Sequence, residues 1–557
     1  MSQKNSKSIY FLTGSLFLIG YWIFGYDGIT FSDDVYYMQF GRDFWKGLEL
    51  RDSSHFTERW GAFLFSGLFT HLFGYTDRWA SVPSLISYLV SFYLLLHLKN
   101  ENSYRFWLTL FFCTQVYFLH FLPKVYPDSI LVLWVILVPF TAVYRQKYPF
   151  WMGMTMAATF MIGFATKETM VLLLPFPFLI FFFDWKNGNN LSFYKWFGAW
   201  SILILGIYFF INFIKYQNAF FHIDAIHSNY YTWEFSYHDK GWDPIFKRIT
   251  HEPILVFVLR SFWIWIAFSI SGMVIGIRTK EKIVFEFAMA ALCLIFGFWF
   301  MSSSLEFYNP IYMNPRHLII LVGPLSVLVA MSAKDWINKP HWKIRISVLM
   351  ALGIFVGFIL KDLKMAAYIT GMGLLFIFFS DHRLFNPAFV LLMIFPVVAS
   401  IYFQIETKNY PHFKEQFNEY VSSTDNQTPI ITNNFVYSSR EILLSDAPAL
   451  PKNLCQVGDW EKIMNQNPGV FKIFVYKYYQ HAYPEEQEFL TSFDSWLSTS
   501  TYKIVEEFED DWIQTKTFRI ISSEGLFKSF LSPCSENPVD IESYPEFISG
   551  STIAACQ

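Results

Sequence analysis

Residues 9–37 read IYFLTGSLFLIGYWIFGYDGITFSDDVYY. From Tyr10 to Tyr26 the stretch is apolar and uncharged, close to the roughly 20 residues that cross a hydrocarbon core. Lys4 and Lys7 precede it. No small-residue cleavage site follows, so it reads as a signal anchor that stays in the chain. The polar continuation, Ser32-Asp33-Asp34-Val35-Tyr36-Tyr37, places two adjacent carboxylates just past the end of a span. Ionised groups at that depth cost solvation unless they meet water, a cation or a substrate.

The rest of the 557-residue chain repeats the apolar theme. Hydrophobic residues make up 54% and charged residues 16%, against roughly a quarter charged in soluble domains. Phe alone takes 65 positions, as suits lipid-facing helices with aromatic interfacial belts. A net charge of −3 gives no pull toward nucleic acid. Five cysteines are too few for a disulfide framework, and none has metal-ligand spacing.

Apolar stretches long enough to span lie near 9–27, 78–98, 104–122, 127–145, 150–166, 168–184, 194–214, 252–277, 283–303, 315–333, 343–360, 364–380 and 385–404, about thirteen in all. The stretch 59–76 is ambiguous. If it spans, the loops with Arg145 and Lys147, with Arg278, Lys280 and Lys282, and with Lys334, Lys339, Lys343 and Arg345 fall opposite the basic N-terminus. If it lies along the interface as an amphipathic helix, they share its side, as cytoplasmic basic loops do. The second reading puts the N-terminus in the cytoplasm. Interfacial loop 28–77, the Lys124–Asp128 turn, the Lys167–Glu168 turn, external loop 215–251 and Arg316 then all meet the outer face.

From about 406 the chain becomes more charged. Short β-rich runs (Phe471–Tyr476, Phe518–Ile521) flank a helical stretch near Glu485–Leu497. The expected architecture is therefore an α-helical polytopic membrane domain, 1–405, followed by a small extracytoplasmic α/β domain, 406–557. Within that domain Cys455, Cys534 and Cys556 would meet an oxidising space, and Cys534 and Cys556 are the nearer pair in sequence. No internal repeat is visible.

Several polar groups on the outer face carry chemistry. Asp33 or Asp34 could act as a general base or help hold a divalent cation; an Asp at a helix start also satisfies free N–H groups. Arg59 opens the interfacial helix with a planar fork suited to phosphate, although an interfacial Arg also snorkels to headgroups. Lys124 precedes Pro127-Asp128 at a span start, where Asp128 can cap. Lys167 and Glu168 sit between two spans and could form a mutual ion pair. Arg316 lies in Asn314-Pro315-Arg316-His317 at the mouth of another span. His222, Asp224, His227 and His238 in loop 215–251 have no firm zinc spacing.

Taken in order, these features resemble the GT-C superfamily of membrane glycosyltransferases, with the nearest likeness to the dolichyl-phosphate-mannose protein mannosyltransferase and aminoarabinose lipid A transferase families. The matching residues are the acid pair Asp33 and Asp34 with Tyr37 after the first span; Arg59 before an interfacial helix ending in Leu72-Phe73-Gly74; Arg78 and Pro83 opening the next span; Pro127-Asp128; Thr166-Lys167 through Pro175; and Asn314-Pro315-Arg316-His317. The likeness covers roughly residues 1–335. It departs at Arg59-Trp60-Gly61, where those families commonly carry Lys-Pro-Pro.

The resemblance implies transfer of a sugar from a polyprenyl-phosphate donor to a lipid, glycan or protein acceptor at the outer face of the cytoplasmic membrane, with inversion. It implies Asp33 as base and Arg59, Lys124, Lys167 and Arg316 as the phosphate cradle. Asp34, Tyr37, Asp128, Glu168 and His222 would orient substrates. A divalent cation, Mg or Mn, is the one cofactor the acid pair leaves open. The rival classes are a transporter, expected to show inverted repeats and broken helices, and a non-catalytic envelope-assembly protein.

Overall fold

The computed structural model describes residues 3–48, 56–228, 236–304, 306–445, 450–478, 482–484 and 486–520. Every apolar stretch read from the sequence is helical, but not every one is a single long helix. Among the described residues eight helices are long and apolar enough to cross a membrane, or nine if a bent pair is taken as one span. These include α1 (Gln3–Phe24), whose window begins at Lys7, and α4 (Asp77–Leu96). Of the thirteen expected spans, 364–380 is helical over only seventeen residues, 315–333 is also covered by a shorter apolar stretch, Pro315–Met331, and 104–122 is interrupted. The stretch 104–122 divides into α5 (Asn102–Cys113) and α6 (Val116–His120). The stretch 252–277 breaks between Glu252–Leu259 and Trp263–Thr279 with a 114° bend, so a broken helix is present where the sequence showed none.

Between α1 and α4 lie two short helices, α2 (Asp33–Trp45) and α3 (Trp60–Phe73), packed on each other. At fourteen residues α3 is below spanning length, in keeping with the interfacial reading. Next come α7 (Pro127–Tyr144) and α8 (Pro149–Thr166). Proline at the first helical position of each starts the helix without wasting an N–H. A 3-10 turn, Glu168–Leu173, leads into α9 (Pro175–Lys186), α10 (Ser192–Tyr216) and α11 (Phe221–His227). Helix α7 packs against α4, α8 and the helix Lys282–Phe300.

At its C-terminal end α7 carries a buried charge lock. Arg145 donates to Asp184 through Nε at 2.7 Å and Nη2 at 2.9 Å, and also to Glu286. The Tyr194 hydroxyl donates to the same Asp184 at 2.5 Å. Asp128 sits at the other end of α7. An eighteen-residue helix is about 27 Å long, so the lock and the acidic end lie about one hydrocarbon thickness apart.

The last long helix, Phe385–Lys408, ends where Asn409 takes a left-handed φ of 37°, and Tyr410–Ser423 leads into the C-terminal domain. Among the described residues five strands follow: β1 (Ile430–Thr432), β2 (Leu454–Gln456), β3 (Val470–Tyr476), β4 (Tyr502–Glu509) and β5 (Ile513–Ile520). Their order is β2-β1-β3-β5-β4, with β1 parallel to β2 and β3, and β5 antiparallel to β3 and β4. Alternation along β3 explains the two faces. Phe471, Ile473 and Val475 join one cluster with Phe493 of the helix Glu486–Thr499. Phe474 and Tyr476 face the other way, into a cluster shared with Phe413, Phe417, Phe31, Tyr37 and Phe63. The second face of the sheet is thus packed onto the interfacial helices. Edge strand β4 carries Lys503, Glu506, Glu507 and Glu509, charges that discourage pairing with another chain.

Cys113 and Cys293 are free and buried in the membrane domain. Cys455 is half of a disulfide. The other two cysteines of that domain, Cys534 and Cys556, lie outside the described residues.

Candidate functional site

Helix α2 starts at Asp33, so the acid pair stands at a helix N-terminus, where a carboxylate is favoured. The two carboxylates point to different partners. Asp34 turns back into its own loop and accepts from Thr30 N at 2.6 Å, Thr30 Oγ1 at 2.9 Å, Ser32 N at 3.1 Å and Val35 N at 3.1 Å. It knots the loop and has little capacity left for a substrate. Asp33 faces outward from the knot and accepts from Arg316 Nη1 at 2.7 Å.

Arg59 is brought in by Gly61. A Cβ at Gly61 would stand 2.4 Å from Thr166 Oγ1, so glycine lets the start of α3 close on the Thr166-Lys167 turn. From there Arg59 grips Glu168 through Nε at 2.9 Å and Nη2 at 2.8 Å, and donates from Nη1 to the Tyr37 hydroxyl at 2.9 Å. Lys167 donates to both oxygens of Asp128, at 2.8 and 2.6 Å. Lys167 and Glu168, adjacent in sequence, are therefore not a mutual pair. The extended backbone of Lys167 sends the two side chains to different helices. Arg316, at the start of Pro315–Leu318 where Asn314 caps its N–H, lies over the Tyr126 ring at 5.2 Å.

Three cations from distant parts of the sequence thus converge on Asp33. Burial pushes the Asp33 carboxyl up, but Arg316, Arg59 and Lys167 outweigh it and hold the group below the usual carboxylate range. Lys167 moves the opposite way. Burial lowers its ammonium to about 8 against the pull of Asp128, and the nearby charges of Arg316 and Arg59 push in the same direction as burial.

His222, on α11, is buried and bonds Tyr208 Oη through Nδ1 at 2.7 Å and Glu168 Oε1 through Nε2 at 3.2 Å. It joins the external loop to the Arg59–Glu168 pair. Asp224 instead bonds Asn218 at 2.7 Å, and His238 bonds Asp239 at 2.7 Å.

Lys124 does not join the cluster. Its ammonium is buried and donates to Asp27 and, at 2.8 Å, to the Gly28 carbonyl, so it belongs to the junction behind the acid loop. Two groups the sequence reading passed over do belong near the site. Tyr126 supports Arg316 and shares a 2.6 Å hydrogen bond with Thr30 Oγ1. Glu58 accepts from Tyr216 Oη at 2.5 Å at the foot of the external loop. Each adjoins a motif residue, and that adjacency was the only available signal.

The donors do not fit a protein-held divalent cation. Among the described residues no three His, Cys, Asp or Glu groups come together in a way that could hold a metal ion. Asp33 is committed to Arg316, and Asp34 to its own loop.

Fold and site together define a class: a multi-pass helical membrane protein that gathers buried cations around one carboxylate, next to a small α/β domain. Solved structures of this architecture are ArnT from Cupriavidus metallidurans in the apo state and ArnT from Cupriavidus metallidurans bound to undecaprenyl phosphate. Each matches with a TM-score of 0.55 and 11% identity over 93% of this chain and 98% of that chain. At this identity the likeness is one of fold, and at that level it agrees with the architecture expected from the motifs. No family profile matches the chain, and no curated protein matches it.

Proposed function

We propose that this chain is a membrane glycosyltransferase that moves a sugar from a polyprenyl-phosphate donor to a lipid, glycan or protein hydroxyl at the outer face of the cytoplasmic membrane. The observation that carries the reading is the convergence of Arg316, Arg59 and Lys167 on Asp33. Support for a polyprenyl donor comes from the shared fold with a protein solved with undecaprenyl phosphate.

In the cluster as it stands, Asp33, Asp128 and Glu168 balance Arg316, Lys167 and Arg59. The donor phosphate competes for those cations. When it draws Arg316 away, Asp33 loses the charge that holds its carboxyl low and becomes a better base. Asp33 then takes the acceptor's hydroxyl proton as the oxygen attacks the anomeric carbon. The new carbon–oxygen bond forms as the old bond to the phosphate oxygen breaks on the opposite face, inverting the centre. The bond pair leaves on phosphate, where Arg59, Lys167 and Arg316 stabilise the developing charge. Asp128, Glu168, Tyr37 and His222 hold the cations and the loop in register. Asp34 shapes the acid loop, and Lys124 has no part in the cradle.

Reconstituted protein should transfer labelled sugar from a polyprenyl-phosphate donor in vesicles. Absence of transfer across a panel of sugars and hydroxyl acceptors, with donor binding also absent, would remove the proposal. The broken span at Glu252–Thr279 carries no member of the charged cluster, so the transporter reading gains no support from it.

A further inference from the structure

The loop that presents Asp33 is held by a different part of the chain. Gly28 and Phe31 have left-handed φ values of 83° and 58°, and the second is unfavourable for a residue with a side chain. Its surroundings compensate. The Phe31 ring sits in a socket of Phe435, Tyr476, Phe413 and Tyr410, with centroids 5.0, 5.8, 6.0 and 6.2 Å away. All four follow the last long helix. A Cβ at Gly28 would stand 2.1 Å from the Tyr410 ring, so that ring lies flat against the loop backbone.

The backbone itself is also bonded. Lys408 Nζ donates to the Ile29 carbonyl. The Tyr483 hydroxyl reaches the Phe31 carbonyl at 2.5 Å and the Thr30 carbonyl at 3.0 Å. Thr30 in turn bonds Asp34 and Tyr126. Farther along, Arg42 of α2 pairs with Glu441 at 2.5 Å, and Tyr410 Oη donates to Asp77 at 2.8 Å.

From these contacts we infer that the C-terminal domain is a positioning clamp: Tyr483, Lys408 and the aromatic socket fix residues 29–31 so that Asp33 faces Arg316. The domain places no charge on Asp33 and acts through the loop backbone. The inference rests on the reading of Asp33 as the base, and its test separates the two.

Tyr483→Phe keeps the ring, which stacks on Phe435 at 4.7 Å, and removes only the hydroxyl. In the full-length protein, amide exchange at residues 29–34 should quicken in Tyr483→Phe and in Lys408→Met. Turnover should fall about ten- to a hundredfold, as misplacement of a reacting group does, with donor Kd unchanged. The acid limb of the kcat/KM profile, which reports the donor-free enzyme, should move to higher pH as the Asp33–Arg316 pair slackens. A domain needed only for folding would lower thermal stability and leave that limb in place. Unchanged exchange in both variants overturns the clamp. Faster exchange with unaltered kcat and acid limb overturns its positioning role. If wild-type protein transfers no sugar, the glycosyltransferase reading fails, and the exchange measurement still decides whether the domain holds the loop.

Discussion

Arg316 donates to Asp33 at 2.7 Å across 283 residues of sequence. One is the first residue of a short interfacial helix, the other the second residue of a helix far down the chain. Their pairing turns an acid that could pass for a simple cap into a carboxylate whose basicity depends on where a cation stands.

Asp33→Asn should reduce sugar transfer by roughly 10²–10⁴-fold, the usual loss for a general base, with donor binding intact. Asn caps a helix about as well as Asp, so a capping role predicts near-normal rates. Asp34→Asn should behave differently. An amide cannot accept all four of the hydrogen bonds that Asp34 receives, and leaving buried donors unmet costs about 1–3 kcal/mol. Its signature is a lower melting temperature in detergent together with reduced turnover. Equal melting temperatures for the two variants would contradict the division of labour between them.

Arg59→Ala should weaken donor binding about ten- to a hundredfold, the equivalent of one charge-assisted contact. Arg59→Lys should recover only part of this, because an ammonium cannot reproduce the two-pronged grip on Glu168 while also reaching Tyr37. Isothermal titration with a water-soluble short-chain donor reads both. Full recovery by Lys would show that charge alone matters.

Donor affinity should fall as pH rises through about 8, the value to which burial lowers Lys167. The sign follows from linkage. Below that pH the group is charged and attracts phosphate; above it the folded protein gives up the proton and the attraction. A phosphodiester donor keeps its own charge throughout, so the slope belongs to the protein. Lys167→Arg should flatten it, since guanidinium stays charged. A flat wild-type profile from pH 7 to 10 would place the phosphate elsewhere.

Chelators should leave transfer unchanged, because Asp34, the second carboxylate a metal site would need, is spent on four hydrogen bonds within the acid loop. A rate restored only by Mg or Mn after chelation would require Asp34 to give up those bonds.

If the C-terminal domain lies outside the cytoplasm, as the loop charges lead us to propose, protease added to spheroplasts should remove it. Complete protection would reverse the orientation and move the cluster to the other face.

Much of this was legible in the sequence for a physical reason. Lipid forces long apolar runs and confines charge to their ends, so Asp33, Arg59, Lys167 and Arg316 could be assigned to one face by parity once the loop charges had decided the ambiguous stretch 59–76. Parity gives depth along the membrane normal but no position within the plane. Lys124 shares that depth and points to Asp27 behind the loop. The same limit made Lys167 and Glu168 look like partners, although each serves a different helix. In the C-terminal domain, a β-rich run announced β3, where Phe471–Tyr476 was read and Val470–Tyr476 is found. Its docking surface was hidden because Tyr410, Phe413 and Tyr476 look like ordinary core residues until Phe31 is seen among them.

The lock of Arg145, Asp184 and Glu286 has a consequence for how the protein is made. Arg145 and Asp184 lie 39 residues apart and leave the ribosome close together, while Glu286 follows 141 residues after the arginine. A lone charge in a nascent helix resists insertion by up to about 2.5–3.5 kcal/mol. The helix Lys282–Phe300 therefore enters lipid carrying a carboxylate whose counter-charge is already waiting beside it. Order of synthesis becomes part of the assembly: Arg145→Leu would be felt first as a poorer yield of integrated protein, long before any effect at the opposite face.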